Sequence, residues 1–184
     1  MSLCQTFREL SYQTWIQLGK ARQVKHQMLE ESITDALMVE LKVRHPYDVI
    51  TTTFTRHEEG KNGADWEWWF VDSTGTKGIG FRVQAKIINF KTNAFESLHY
   101  LKKNGKYQTD VLVDAASKSS RPLIPLYCLY LHSNCLPTPS TVQLLNLLGI
   151  HAGDARLNCY SEHYACSLLS VQAVKKFKIK KLMS

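Results

Sequence analysis

The sequence has no apolar run near the ~20 residues that a membrane-spanning helix requires, so no stretch of it reads as a transmembrane segment. Its opening residues, Met1-Ser2-Leu3-Cys4-Gln5, are interrupted at once by Arg8 and Glu9 and do not read as a signal peptide. A cytoplasmic, soluble protein is the expectation. Low-complexity segments and internal repeats are absent. There is no Gly-x-x-x-x-Gly-Lys-Ser/Thr loop, so the phosphate cradle of a nucleoside-triphosphate hydrolase is missing. There is no Gly-x-Ser-x-Gly elbow, and the cysteines and histidines carry no local protease signature. Nor is there a Cys-x-x-Cys pair. The five cysteines are an odd number without a secretory signal, which indicates reduced thiols. Cys128 and Cys135, like Cys159 and Cys166, stand seven apart, with His132, His151 and His163 nearby. A zinc site built from these competes with the plainer reading of buried small hydrophobes, and Cys128 falls in an apolar strand pattern.

What remains is a chain of 184 residues, enough for one domain with a sizeable core. It is 44% hydrophobic and 21% charged, with a formal charge of +7. A basic excess suits a polyanionic partner, because lysine and arginine gain affinity for phosphates by releasing condensed counterions. Part of that excess sits in the tail from Lys175 to Lys181.

Periodicity predicts a first helix from about Leu3 to Leu18, stopped by Gly19, and a second from about His26 to Val43, ended by Pro46. The β-branched run Asp48 to Thr55 predicts a strand, and Arg56 to Asn62 a polar loop. Two further strands follow, Gly63 to Phe70 and Phe81 to Ile87, joined by a glycine-rich turn over 72–78. The stretch Lys91 to Lys106 is ambiguous; its Lys91, Lys102, Lys103 and Lys106, with Phe95, Tyr100 and Tyr107, either line a nucleic-acid backbone groove or form an ordinary solvated excursion. A helix is predicted over Gln108 to Lys118 and a buried strand over Leu123 to Leu131. Thr138-Pro139 predicts the start of a helix ending at Gly149, and a last helix is predicted over Leu168 to Phe177. The whole reads as a single α/β domain (1–184) with a mixed central sheet flanked by helices. Its core covers about 26–132, and a helical extension about 138–184.

Strand parity locates the chemistry. Residues two apart share a face, so Asp65, Glu67 and Trp69 point one way and Trp66, Trp68 and Phe70 the other. On the next strand Arg82, Gln84 and Lys86 share a face opposite the apolar Phe81, Val83, Ala85 and Ile87. With both apolar faces on one core, Asp65, Gln84 and Lys86 lie side by side on an open face. Such a set suits magnesium-dependent phosphodiester hydrolysis, in which cations offset charge developing on the phosphate and magnesium takes hard oxygen ligands. A cross-strand Asp–Lys pair in a non-enzymatic domain is the plain alternative.

The order α-β-β-β-α-β, with Asp65 at the second strand and Gln84-x-Lys86 on the third, resembles the PD-(D/E)XK nuclease superfamily, the restriction-endonuclease-like fold. The Gln-Ala-Lys form is most similar to Mrr-type restriction nucleases and related prokaryotic defence nucleases, in which glutamine replaces the usual acid. The strings Gly63 to Trp69 and Pro125 to Tyr130 are also similar to bacterial proteins of undefined function in that group. The resemblance covers about Glu30 to His132. It implies a magnesium- or manganese-dependent endonuclease acting on double-stranded DNA in restriction or anti-phage defence, working as a homodimer. A structure-selective repair nuclease or resolvase, and a non-catalytic nucleic-acid-binding module, are the alternatives. By the resemblance, Asp65, Gln84, Lys86 and a helix acid are catalytic. Glu31 is the chosen helix acid, with Glu30 and Asp35 as rivals, and Gln108 is a supporting glutamine. The metal ligands are Asp65, the Gln84 oxygen and the Ala85 carbonyl. Glu67 is a further candidate ligand, set against its pairing with Arg82 or Lys86.

Overall fold

The computed structural model describes residues 2–132, except 93, 96, 99, 103, 104 and 122, together with the backbone of 166–170. The elements are α1 (Leu3–Gln23), α2 (Glu30–Arg44), β1 (Val49–Thr53), α3 (Arg56–Asn62), β2 (Trp66–Val71), β3 (Gly78–Ile87), α4 (Gln108–Ser117), β4 (Leu123–Tyr130) and β5 (Cys166–Ser170). Strands β1 to β4 form a mixed sheet in sequence order, with β5 added beside β4. The pairs β1–β2 and β2–β3 are antiparallel, β3–β4 is parallel, and β4–β5 is antiparallel. The parallel pair needs a crossover, and the segment carrying α4 supplies it. The α/β class with a mixed sheet flanked by helices is as expected.

Alternation along β2 and β3 divides the sheet into two unlike faces. Trp66, Trp68, Val83 and Ala85 are buried with Cys128 and Tyr130 of β4, against Leu10 and Leu18 of α1 and Ile33, Met38 and Leu41 of α2. Phe7 of α1 sets its ring edge-on to Trp68 at 5.5 Å and to Phe70 at 5.8 Å. Such pairs add roughly 0.5–1.5 kcal/mol beyond the area they bury. The polar face carries Gln84 and Lys86. It is not open: α4 packs on β3 and β4, and α3 packs on α4.

Polar clasps fix α1 and α2 to each other. Arg44 bonds Glu9 and Glu40, each at 2.8 Å. The buried His45 joins Thr6 (2.8 Å) and Asp48 (3.1 Å). Thr6–His45–Asp48 has the connectivity of a hydrolytic triad, but the Thr6 side chain is wholly buried inside the first turns of α1. It is a structural link between two helices and the entry to β1.

Four expectations change. Helix α1 does not stop at Gly19 but continues to Gln23. A Cβ at Gly19 would lie 2.7 Å from Nε2 of His132, so a larger residue there would have to displace that ring. Helix α2 begins at Glu30 rather than near His26. The expected polar loop over 56–62 is helix α3, held by a capping box in which the Thr55 hydroxyl accepts from Glu58 N and the Glu58 carboxylate accepts from Thr55 N. Residues 168–170, read as the start of a last helix, belong to strand β5. The rest of that expected helix and the one beginning at Thr138 lie outside the described residues. No helix among the described residues is long and apolar enough to cross a membrane.

Candidate active site

Asp65 is set in place one residue before β2. Its N–H donates to Val83 O and its carbonyl accepts from Phe54 N, both at 2.8 Å, so the backbone is pinned between β3 and the end of β1. The turn leading to it is Asn62-Gly63-Ala64, in which Ala64 N donates to the Asn62 side-chain oxygen at 2.9 Å. Gly63 closes α3 in the left-handed region at φ 73°. A Cβ there would lie 2.8 Å from Leu112 N and 3.0 Å from Gln108 O. The end of α3 therefore docks directly on the first turns of α4.

That docking brings four side chains into one hydrogen-bonded chain. Oδ2 of Asp65 accepts from Ala85 N and from Nε2 of Gln84, both at 2.5 Å. Oε1 of Gln84 accepts from Nε2 of Gln108 at 2.6 Å, and the same nitrogen donates to Oε1 of Glu59 at 2.9 Å. Gln84 is wholly buried and Gln108 nearly so. Tyr127, the parallel neighbour of Gln84, lies beneath with its hydroxyl donating to Thr109. Lys86, 8% exposed, sets Nζ 3.7 Å from Oε1 of Glu30.

The electrostatics are those of a partly dehydrated acidic site in a basic protein. Burial pushes the Asp65 carboxyl from the usual 3.8 to about 7, against the Ala85 N–H and Lys86, with Glu30 and Glu59 pushing it further up. Burial also raises Glu30, opposed by Lys86 and by the N–H of Ile87. Three carboxylates thus influence one another around a single lysine. Carboxylates, an amide and a backbone carbonyl form a hard oxygen donor set, which suits magnesium or manganese rather than a thiophilic metal. Among the described residues, no three His, Cys, Asp or Glu side chains stand close enough to hold a metal by themselves. Magnesium does not need that, because it is usually held by one or two carboxylates with water and substrate phosphate.

The structure brings together Asp65, Gln84, Ala85, Lys86 and Gln108. It does not bring Glu31 to them: Glu31 is exposed and meets Arg56 at 3.3 Å. Asp35 is exposed as well. The helix acid at the site is Glu30, the rival one residue earlier. Glu67 is engaged by its cross-strand neighbour Arg82 through Nε at 2.9 Å and through Nη2. Trp69 lies across Gly80, where a Cβ would stand 2.8 Å from its ring, with Arg121 above it at 5.8 Å. Lys91 and Lys106 are exposed, Lys102 donates to Gly60 O at 2.5 Å, and Lys103 lies outside the described residues. Cys128 is buried in the core, while Cys135 and Cys159 lie outside the described residues.

Glu59 was not anticipated. The signal for its helix was present in Thr55-x-x-Glu58, a capping-box pattern, but nothing in the sequence connects Glu59 to Gln108, 49 positions later. Two glycines of this region should respond oppositely to alanine. Gly63→Ala is expected to cost about 2 kcal/mol or more, combining left-handed strain with a backbone clash. Gly60→Ala, with nothing within 4 Å of its Cβ, should stabilise by roughly 0.5–1 kcal/mol. Urea unfolding of the two variants measures both.

Fold and site together define an α/β protein with a mixed sheet and a buried carboxylate–amide–lysine cluster under its crossover helix. The chain belongs to a family of unknown function, DUF6615, whose model matches residues 3–183. No curated protein matches it.

Proposed function

We propose that the protein is a metal-dependent nuclease that hydrolyses phosphodiester bonds in DNA, of the restriction-endonuclease-like plan, serving restriction or anti-phage defence. The observation that carries this reading is the convergence of Asp65, Gln84 and Lys86 from two adjacent strands with Glu30 from α2. The α2-β1-β2-β3-α4-β4 order, with α3 inserted after β1, is compatible with that plan. Asp65 and the Ala85 carbonyl, which accepts from Gln84 Nε2 at 3.2 Å in the metal-free site, would hold the dication. Gln84 joins them only if its amide turns over, because the NH2 rather than the oxygen now faces Asp65. Bound there, the cation would supply electrostatic stabilisation of charge developing on the scissile phosphate. Lys86, steadied by Glu30, donates hydrogen bonds that orient water and offset charge near the reacting phosphate.

The experiment is cleavage of supercoiled plasmid with magnesium or manganese, by the wild-type chain and by Lys86→Ala. Loss of about 10²–10³-fold in rate is expected for the variant. Equal cleavage by both, insensitive to chelator, would sink the reading. One observation favours a second reading, a nucleic-acid-binding module without turnover: Gln84 and Oδ2 of Asp65 are already hydrogen-bonded to protein partners. That reading gives salt-sensitive DNA binding and no metal-dependent cutting.

A further inference from the structure

Helix α3 buries none of its residues, so no apolar face holds it on the domain. Its attachments include the tight Gly63 contact with α4, the bond from Lys102 Nζ to Gly60 O, the exposed Arg56–Glu31 pair to α2, and the bond from Gln108 to Glu59. The two neighbouring acids divide the work. Glu58 turns back to cap its own helix at Thr55, whereas Glu59 reaches across to α4.

We propose that Glu59 is a positioning residue: by accepting from Gln108 it sets which way the two buried amides point, and through them holds the carboxylate of Asp65. The reasoning is one of donor and acceptor polarity. A carboxyl oxygen that carries no proton, such as Oδ2 of Asp65 with its two donors, only accepts, while a glutamine amide has one accepting end and one donating end. Glu59 and Asp65 lie at the two ends of the chain, so each amide must present NH2 to its carboxylate. Gln108 spends one N–H on Glu59 and the other on the oxygen of Gln84. Gln84 is left with its NH2 toward Oδ2 of Asp65 at 2.5 Å and toward Ala85 O at 3.2 Å. Without Glu59, the Gln108 amide loses one of the two acceptors that fix its direction, and a turned Gln108 presents oxygen to the oxygen of Gln84. That conflict propagates to Asp65. Buried polar networks of this kind rigidify when fully satisfied and fail together when one member is lost.

The effect on turnover rests on the nuclease reading; the effect on the amides does not. The test therefore has two readouts on Glu59→Ala and Glu59→Gln. The first is the side-chain amide resonances and hydrogen exchange of Gln84 and Gln108 in nitrogen-15-labelled protein. The second is plasmid cleavage. In Glu59→Ala, both amides should shift and exchange faster, and turnover should fall by about 10- to 100-fold at unchanged KM, as expected for misplacement rather than lost binding. Glu59→Gln, which keeps an oxygen of the same reach, should restore both readouts. Since Glu59 is partly exposed, both variants should melt within a few degrees of the wild-type chain. Unchanged Gln84 and Gln108 signals in Glu59→Ala would overturn the proposal, as would equal disturbance by alanine and glutamine. If the amides respond as expected while the wild-type chain cuts nothing, positioning stands and the nuclease reading falls.

Discussion

At neutral pH, Asp65→Asn should be more stable than the wild-type protein when divalent cation is absent, and should cleave nothing when magnesium is supplied. The wild-type carboxyl is pushed up from 3.8 to about 7, so the folded state binds its proton more tightly than the unfolded chain does. Below pH 4 both states are protonated and the group contributes no difference. Between about pH 4 and 7 the unfolded chain ionises first, and stability falls as pH rises. Above 7 both are ionised and the full penalty remains. At 1.36 kcal/mol per pH unit, that penalty is about 2 to 4 kcal/mol, the lower figure allowing for solvent that still reaches the carboxyl. Asparagine keeps an oxygen for Ala85 N and Gln84 Nε2 but carries no charge. Its melting temperature should therefore change little over this pH range, while that of the wild-type chain falls. Magnesium should recover stability in the wild-type chain at pH 8 and do nothing for the variant. A variant less stable than wild type at every pH would make Asp65 a structural residue. Such a stabilising loss of function is the usual mark of a site strained for its task.

How far the sequence revealed this arrangement depended on period. Along β2 and β3 the two-residue repeat placed Trp66, Trp68, Val83 and Ala85 inward, and they are buried to within 2%. The same parity aligned Gln84 with Lys86, and Asp65 is near them as read. On α2 the apolar residues Leu29, Ile33, Ala36, Leu37 and Leu41 leave Glu30, Glu31 and Asp35 alike on or beside the edge of the stripe, and sequence does not rank them. The buried stripe Ile33, Met38, Leu41 instead puts Glu30 one helical turn ahead of Ile33 and Thr34, toward β3. Leu29 and Ala36, apolar but exposed, mislead the phase, and their exposure turns the buried stripe so that Glu30 is the acid facing β3. Helix α3 has no buried residue and hence no apolar period to detect. Contacts such as Gln108 with Glu59 depend on tertiary docking and leave no local pattern. The polar face is covered by α4, a helix legible in the sequence, but where a helix docks on a sheet depends on tertiary packing and has no local pattern.

The second large effect concerns Gln84, whose two possible roles predict opposite outcomes. Its Nε2 is a donor 2.5 Å from Oδ2 of Asp65. Gln84→Glu replaces that donor with a carboxylate facing a carboxylate, and two acids at this distance cannot both ionise readily, so one proton is shared. The metal-free variant should thus be markedly destabilised at pH 8 and recover on acidification. A dication between the two oxygens removes the repulsion and needs no turning of an amide. Magnesium should therefore raise the melting temperature of Gln84→Glu far more than that of the wild-type chain, and cleavage should be retained or increased. Gln84→Leu is the discriminating partner. Leucine has similar bulk but leaves one N–H of Gln108 unpaired in a buried site, costing about 1–3 kcal/mol, and offers no oxygen. Its melting temperature should drop at every pH, and no cation should restore it. If glutamate at this position shows no greater metal response than leucine, no cation sits beside Asp65 and Gln84. The chain of amides would then be purely a structural tie between α3, α4 and the sheet.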